Sequence, residues 1–132
     1  MSAAFTVKVE ARFESAHFLR SYRGPAEPLH GHSYKVEAEL TAAGTGLDQD
    51  AIAVDFVAAR RELEKLARRF DYGCINDIPP FTEISPSAEN LAQWFHGELS
   101  VAMRVENAVV RSITLFEGPV NSVTYSPRET SS

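Results

Sequence analysis

The sequence predicts an α+β domain, an antiparallel four-stranded sheet with two helices on one face. Three observations carry this. Two long stretches near the N-terminus alternate apolar and polar residues with a period of two, as half-buried strands do. Two later stretches, adjacent in the chain, repeat apolar residues at helical spacing. Two more strand-like runs close the chain. The order ββ, a short β, αα, ββ segregates strands from helices, which favours a mainly antiparallel sheet covered on one side.

In the first strand Phe5, Val7, Val9, Ala11 and Phe13 alternate with Thr6, Lys8, Glu10, Arg12 and Glu14. Gly24, Pro25, Pro28 and Gly31 make residues 19–31 a loop. The second strand sets Tyr34, Val36, Ala38 and Leu40 against Lys35, Glu37 and Glu39. Gly44 to Asp50 is a turn, and the apolar run Ala51 to Val54 is the short strand leading into a helix. Asp55 suits the N-cap, and Phe56, Ala59, Leu63, Leu66, Ala67 and Phe70 form the helix stripe. Gly73 and Pro79-Pro80 end that region. The second helix starts near Ser85-Pro86, with proline in its first turn, and buries Ala88, Leu91, Ala92, Phe95 and Leu99. The last strands run from about Ala108 to Phe116 and Val123 to Tyr125, before a polar tail, Ser126 to Ser132. So small a sheet leaves strand edges open, and self-association is a natural way to close them.

A chain of 132 residues is expected to form one domain. Its 44% hydrophobic and 23% charged residues are those of a globular protein. No apolar run reaches the length of a membrane span, and Met1 to Val9 lacks the pattern of a secretory signal. A formal charge of -5 argues against nucleic-acid binding. A single cysteine excludes an internal disulfide and a multi-cysteine zinc site. A cytoplasmic location is the expectation.

The chemistry gathers around His30-Gly31-His32, where the second strand begins. Residues i and i+2 of a strand face the same way, so both imidazoles can meet one ion. His17, at the end of the first strand, shares the parity of Phe13. If the two strands pair as a hairpin, His17 comes opposite His30 and His32. Three histidines with an open fourth position describe a catalytic zinc site. The alternative is three strand-end histidines with no metal.

Phe13-Glu14-Ser15-Ala16-His17, Leu29-His30-Gly31-His32, Val54-Asp55-Phe56, Asp71 through Asn76, Pro86-Ser87-Ala88-Glu89-Asn90-Leu91-Ala92, Glu117 and Tyr125 follow one another along the chain. This succession resembles the 6-pyruvoyltetrahydropterin synthase / 6-carboxytetrahydropterin synthase family over about residues 5 to 125. The resemblance implies a tunnelling fold, with three subunits joining their sheets into a barrel and two trimers stacking into a homohexamer. It implies active sites between subunits, zinc held by His17, His30 and His32, and 7,8-dihydroneopterin triphosphate or a close relative as substrate. It also makes Glu117 the pterin anchor. Independently, Ile113, Leu115 and Glu117 share one strand face, and a carboxylate can accept a pterin's amino group and ring N–H as a bidentate pair. The alternative for Glu117 is an exposed turn residue before Gly118-Pro119. Gly118 stands where the family usually has threonine.

The catalytic positions depart from the family pattern. Ala26 occupies the place of the usual cysteine base, and Glu27 follows it, giving Glu27-Pro28-Leu29-His30-Gly31-His32. This resembles a subgroup in which glutamate replaces cysteine and the side chain is cleaved to leave 6-hydroxymethyl-7,8-dihydropterin. A retro-aldol step needs a base near a metal-bound hydroxyl, and a carboxylate can serve. The alternatives are 6-pyruvoyl or 6-carboxy synthase activity, and a non-catalytic homologue that keeps the zinc and pterin sites. The family's Asp-His pair aligns with Asp71-Tyr72, and a phenol is a far weaker acid than an imidazolium. Tyr72 either replaces the histidine or is a packing residue. Cys74 could be a relocated thiol or a small buried residue. Arg20 and Arg23 lie in the loop between the histidines, where phosphates could reach them. Capping suffices to explain Ser87, Glu89 and Asn90.

Overall fold

The computed structural model describes residues 4–128; residues 1–3, and 129–132 of the polar tail, lie outside them. The elements in chain order are β1 (Val7–His17), β2 (His30–Ala42), α1 (Phe56–Arg68), β3 (Gly73–Cys74), α2 (Ala88–Ala102), β4 (Ala108–Glu117) and β5 (Asn121–Tyr125). The sheet order is β3-β1-β2-β4-β5. Four strands are antiparallel, as expected. The fifth, β3, runs parallel to the end of β1 through Ser15↔Gly73 and Ala16↔Cys74. Two residues carry no side-chain period, so this strand exists through its backbone alone.

The short strand expected at Ala51 to Val54 is absent; the segment bends instead. Asp48 Oδ1 accepts from the N–H groups of Asp50 and Ile52, at 2.8 and 3.0 Å, and this side-chain alternative replaces a ladder. Val54 still reaches the core.

Both helices lie on one face of the sheet, over Phe13, Tyr34, Val36, Ala38, Leu40, Ile113 and Leu115. A bulge beside Glu39/Leu40 shifts the β2–β4 register, so Val110 and Ile113 both turn inward although three positions separate them. Phe13 and Tyr34 stack at 4.8 Å, and Phe70 and Phe95 close over Phe13 at 5.7 and 5.9 Å.

Asp55 caps α1, accepting from Val57 and Ala58 N–H at 3.0 and 3.3 Å. Ala59, Leu63, Leu66 and Ala67 are buried as the period requires, and Phe70 is buried just beyond the helix. Phe56 is not: it is 59% exposed. Helical side chains tilt toward the N-terminus, so a first-turn residue projects past the packed turns. The α2 cap is Ser87, whose Oγ accepts from Asn90 N–H at 3.1 Å. Pro86 therefore precedes the cap rather than standing in the first turn, and its carbonyl is left for another partner.

The opposite face of the sheet carries Lys8, Glu10, Arg12, Lys35, Glu37 and Glu39. Its ion pairs, such as the exposed Lys8–Glu39 at 3.5 Å and the partly exposed Lys35–Glu10 at 3.7 Å, contribute little to stability.

Candidate metal centre

The β1–β2 hairpin sets His17 opposite His30, and His32 opposite Ser15, with the histidine face continuous with the core. The β2–β4 ladder sets Glu117 opposite Tyr34. Four donors from three strands therefore meet at one end of the sheet. Gly118 then turns at φ +75°, a conformation that favours glycine, and its N–H donates to Ser33 O at 3.1 Å. A glycine at position 118 thus has a local backbone reason.

The donor atoms of His17, His30, His32 and Glu117 all lie within 4.8 Å of one another. His17 Nε2 is 3.2 Å from His30 Nε2 and 3.4 Å from Glu117 Oε1. His32 Nε2 is 2.9 Å from Glu117 Oε1. His17 Nδ1 donates to the Pro86 carbonyl at 2.9 Å, and His30 Nδ1 to the Pro28 carbonyl at 2.8 Å. A carbonyl only accepts, so in both rings the proton sits on Nδ1, and in the neutral rings the Nε2 lone pairs face inward. Two lone pairs 3.2 Å apart repel unless a proton or a metal cation stands between them. His32 Nε2 is buried and makes no well-aligned hydrogen bond despite its short distance to Glu117. The donor set therefore fits a divalent ion that accepts imidazole and carboxylate.

Charge is distributed accordingly. Burial acts to lower the His17 pKa, but its hydrogen bonds to Glu117 and Pro86 and the charges of Glu117 and Glu27 carry it above the usual histidine value. Burial and the two neighbouring histidines lower His32, against the attraction of Glu117. Hydrogen bonding from His17 holds Glu117 below the usual carboxylate range, although burial opposes this. Burial, with both carboxylates nearby, raises Tyr34, whose hydroxyl has no hydrogen-bond partner among the described residues.

Glu27 comes to the same place. Its Oε1 lies 3.8 Å from His30 Nε2 and 4.0 Å from His17 Nε2. Leu19 N–H holds that oxygen at 2.8 Å, and Glu27 N–H returns a bond to Leu19 O at 3.1 Å. Asp71 and Tyr72 do not join the cluster within this chain. Asp71 Oδ1 accepts from Glu14 N–H at 2.9 Å, and Tyr72, 86% exposed, lines a 470 Å³ depression together with His32. Within this chain Tyr72 does not pack. Cys74 is half-buried, its Sγ 3.9 Å from Asn76 Oδ1. The Arg20 guanidinium donates to the Phe81 carbonyl.

Three supports escaped the sequence reading. Asn76 is buried and grips both the N–H and the carbonyl of Phe18, each at 3.0 Å, which fixes the backbone just after His17. Ser85 Oγ accepts from Arg20 N–H at 3.0 Å. Pro86 orients His17. Backbone partnerships of this kind have no sequence period; only the position of Asn76 and Pro86 within the quoted motifs signalled them.

The chain is 28% identical over 96 residues to the 6-carboxy-5,6,7,8-tetrahydropterin synthase of Synechocystis, covering 70% of this chain and 73% of that one. The solved 6-pyruvoyl tetrahydropterin synthase of Caenorhabditis elegans superimposes with a TM-score of 0.80 at 20% identity, over 96% of this chain and 98% of that one. A catalytic-residue mutant of the Plasmodium vivax enzyme, glutamate to alanine, superimposes with a TM-score of 0.75 at 19% identity, over 97% and 100% of the chains. Their fold is the one expected here. The family profile described as 6-pyruvoyl tetrahydropterin synthase matches residues 6–128, nearly all of the sequence, and the chain belongs to that family.

Proposed function

We propose that this protein is a zinc-dependent lyase that cleaves the C6 side chain of 7,8-dihydroneopterin or its triphosphate, leaving 6-hydroxymethyl-7,8-dihydropterin. The observation that carries this is Glu27, a carboxylate rather than a thiol, within 3.8 and 4.0 Å of two cluster nitrogens. A glutamate also holds a catalytic place in the Plasmodium vivax relative. His17, His30 and His32 hold the zinc. Bound there, zinc supplies the Lewis acidity that makes a side-chain hydroxyl a better proton donor. Glu117 accepts the pterin edge and orients the side chain toward Glu27. Glu27 takes the hydroxyl proton. The oxygen's electron pair forms a carbonyl, the neighbouring carbon–carbon bond breaks, and a short aldehyde leaves. The electrons pass into the pterin-conjugated carbon, which regains a proton. Asp71 and Tyr72 are the proposed proton-handling pair, with Tyr72 reaching a neighbouring subunit's site.

Incubation of zinc-loaded protein with dihydroneopterin and, separately, its triphosphate should yield 6-hydroxymethyl-7,8-dihydropterin by mass. The Synechocystis relative favours a second reading, 6-carboxy or 6-pyruvoyl synthase activity, whose product masses differ. No product from either substrate points to a non-catalytic zinc- and pterin-binding homologue.

The assembly proposed is a homohexamer of two trimers in the cytoplasm. It is supported by the open outer edge of β5, the cover of β1 by only two residues of β3, and the charged sheet face without helices. Light scattering should give about six times the 14.6 kDa chain mass; a monomer overturns this. Among the described residues no helix is long and apolar enough to cross a membrane.

A further inference from the structure

We infer that Asn90 is a positioning residue for His17: it holds the Ser85–Pro86 segment so that the Pro86 carbonyl is kept for the imidazole. That His17 is thereby held as a metal ligand rests on the zinc reading above. Capping accounts for Ser87, whose Oγ accepts from Asn90 N–H at 3.1 Å. It does not account for the Asn90 side chain. That carboxamide turns back beyond the helix, and its Nδ2 donates to the Ser85 carbonyl at 2.9 Å. Asn90 thus grips the residue before Pro86 through its side chain and the residue after Pro86 through its backbone.

Both grips bear on one oxygen. His17 Nδ1 donates to Pro86 O at 2.9 Å, and Pro86 is buried. In a helix each N–H donates to the carbonyl four residues back. The first such bond of α2 runs from Leu91 N–H to Ser87 O, at 2.9 Å. One residue earlier, the same pattern would join Asn90 N–H to Pro86 O and take the carbonyl from His17. Ser87 prevents this: its backbone is extended, at φ -68° and ψ 160°, and its Oγ satisfies the Asn90 N–H. The Asn90 side chain then fixes Ser85, whose Oγ also accepts from Arg20 N–H at 3.0 Å. All three oxygens of Ser85 and Pro86 are therefore engaged, one by α2 and two by the chain at and just beyond the end of β1. The ring proton held in this way belongs to the nitrogen that His17 does not offer to the cluster, so fixing it also fixes where Nε2 points.

Asn90→Ala removes the bond to Ser85 and leaves the Ser87 cap, and alanine is the better helix former. Asn90→Asp keeps the side-chain volume, and a carboxylate suits the first turn of a helix, yet it cannot donate to Ser85 O. Neither variant should melt below Gln93→Ala, an exposed substitution on α2 that serves as the control. In both, the His17 Nδ1 proton, followed by heteronuclear NMR in metal-free protein, should exchange with water about 10-fold faster, roughly the worth of one hydrogen bond. Zinc affinity, measured against a competing chelator, should fall about 10-fold in both. An unchanged His17 proton in both variants overturns the inference. So does a zinc affinity that falls no further than in Gln93→Ala. A wild-type protein that takes up no zinc overturns the zinc reading alone, because exchange of the His17 proton still decides whether Asn90 positions the ring.

Discussion

Glu27→Gln should lower turnover by about 10²-fold or more while pterin binding is retained. The substitution is clean for a structural reason. A glutamine carbonyl can still accept from Leu19 N–H, and Glu27 N–H still meets Leu19 O, so the loop keeps its shape. What is lost is a group able to take a proton 3.8 Å from His30 Nε2. Pro25 and Pro28 bracket the residue and restrict the unfolded loop, which lowers the entropy cost of holding the carboxylate in place. Steady-state kinetics with product analysis, beside a direct pterin-binding measurement, checks this. Full activity in Glu27→Gln would remove Glu27 as the base.

His30→Ala should weaken zinc binding by at least about 100-fold and abolish turnover, since a direct ligand matters at least as much as the residues that orient one. His30 is the best ligand to remove, because its side chain is 38% exposed and its loss opens no large cavity. His17 is 1% exposed, so removing it would disturb the core as well as the metal. His96→Ala serves as the control. His96 lies on α2, and its Nε2 is 2.9 Å from the Val110 carbonyl, within hydrogen-bond distance and away from the cluster. Zinc titration against a competing chelator should separate the two variants. Equal affinity would sink the ligand assignment.

The sequence made the hairpin and its histidines legible because strand parity is a strict rule. Once Phe13 faces the core, so does His17, and a hairpin through the 19–31 loop brings His30 opposite. The same rule placed Glu117 beyond Leu115 on the inner face. It did not show that Glu117 stands among the histidines, because that follows from the β2–β4 register and its bulge. β3 escaped because two residues hold no period, and the expected strand at Ala51 to Val54 failed because Asp48 supplies the backbone with other partners. Periodicity also misjudged Phe56, where the tilt of the first helical turn outweighs the stripe. Asn76, Ser85 and Pro86 support the site through backbone contacts made far along the chain.

The cluster residues also differ in when the folding chain can bring them together. His17 and His30 lie 13 residues apart on one hairpin, and His32 is close behind. Such local contacts form early. Glu117 joins only after β4 has crossed back onto β2, and closing that much larger loop costs about 2 kcal/mol more in chain entropy. A chain still emerging from synthesis can therefore bring the three imidazoles near one another on its first, marginally stable hairpin before the helices that bury them exist. On the proposed zinc reading, metal supplied during synthesis should raise the yield of folded protein. Chain made without an ion must instead place a proton among the inward-facing nitrogens, as the His17–Glu117 pair does.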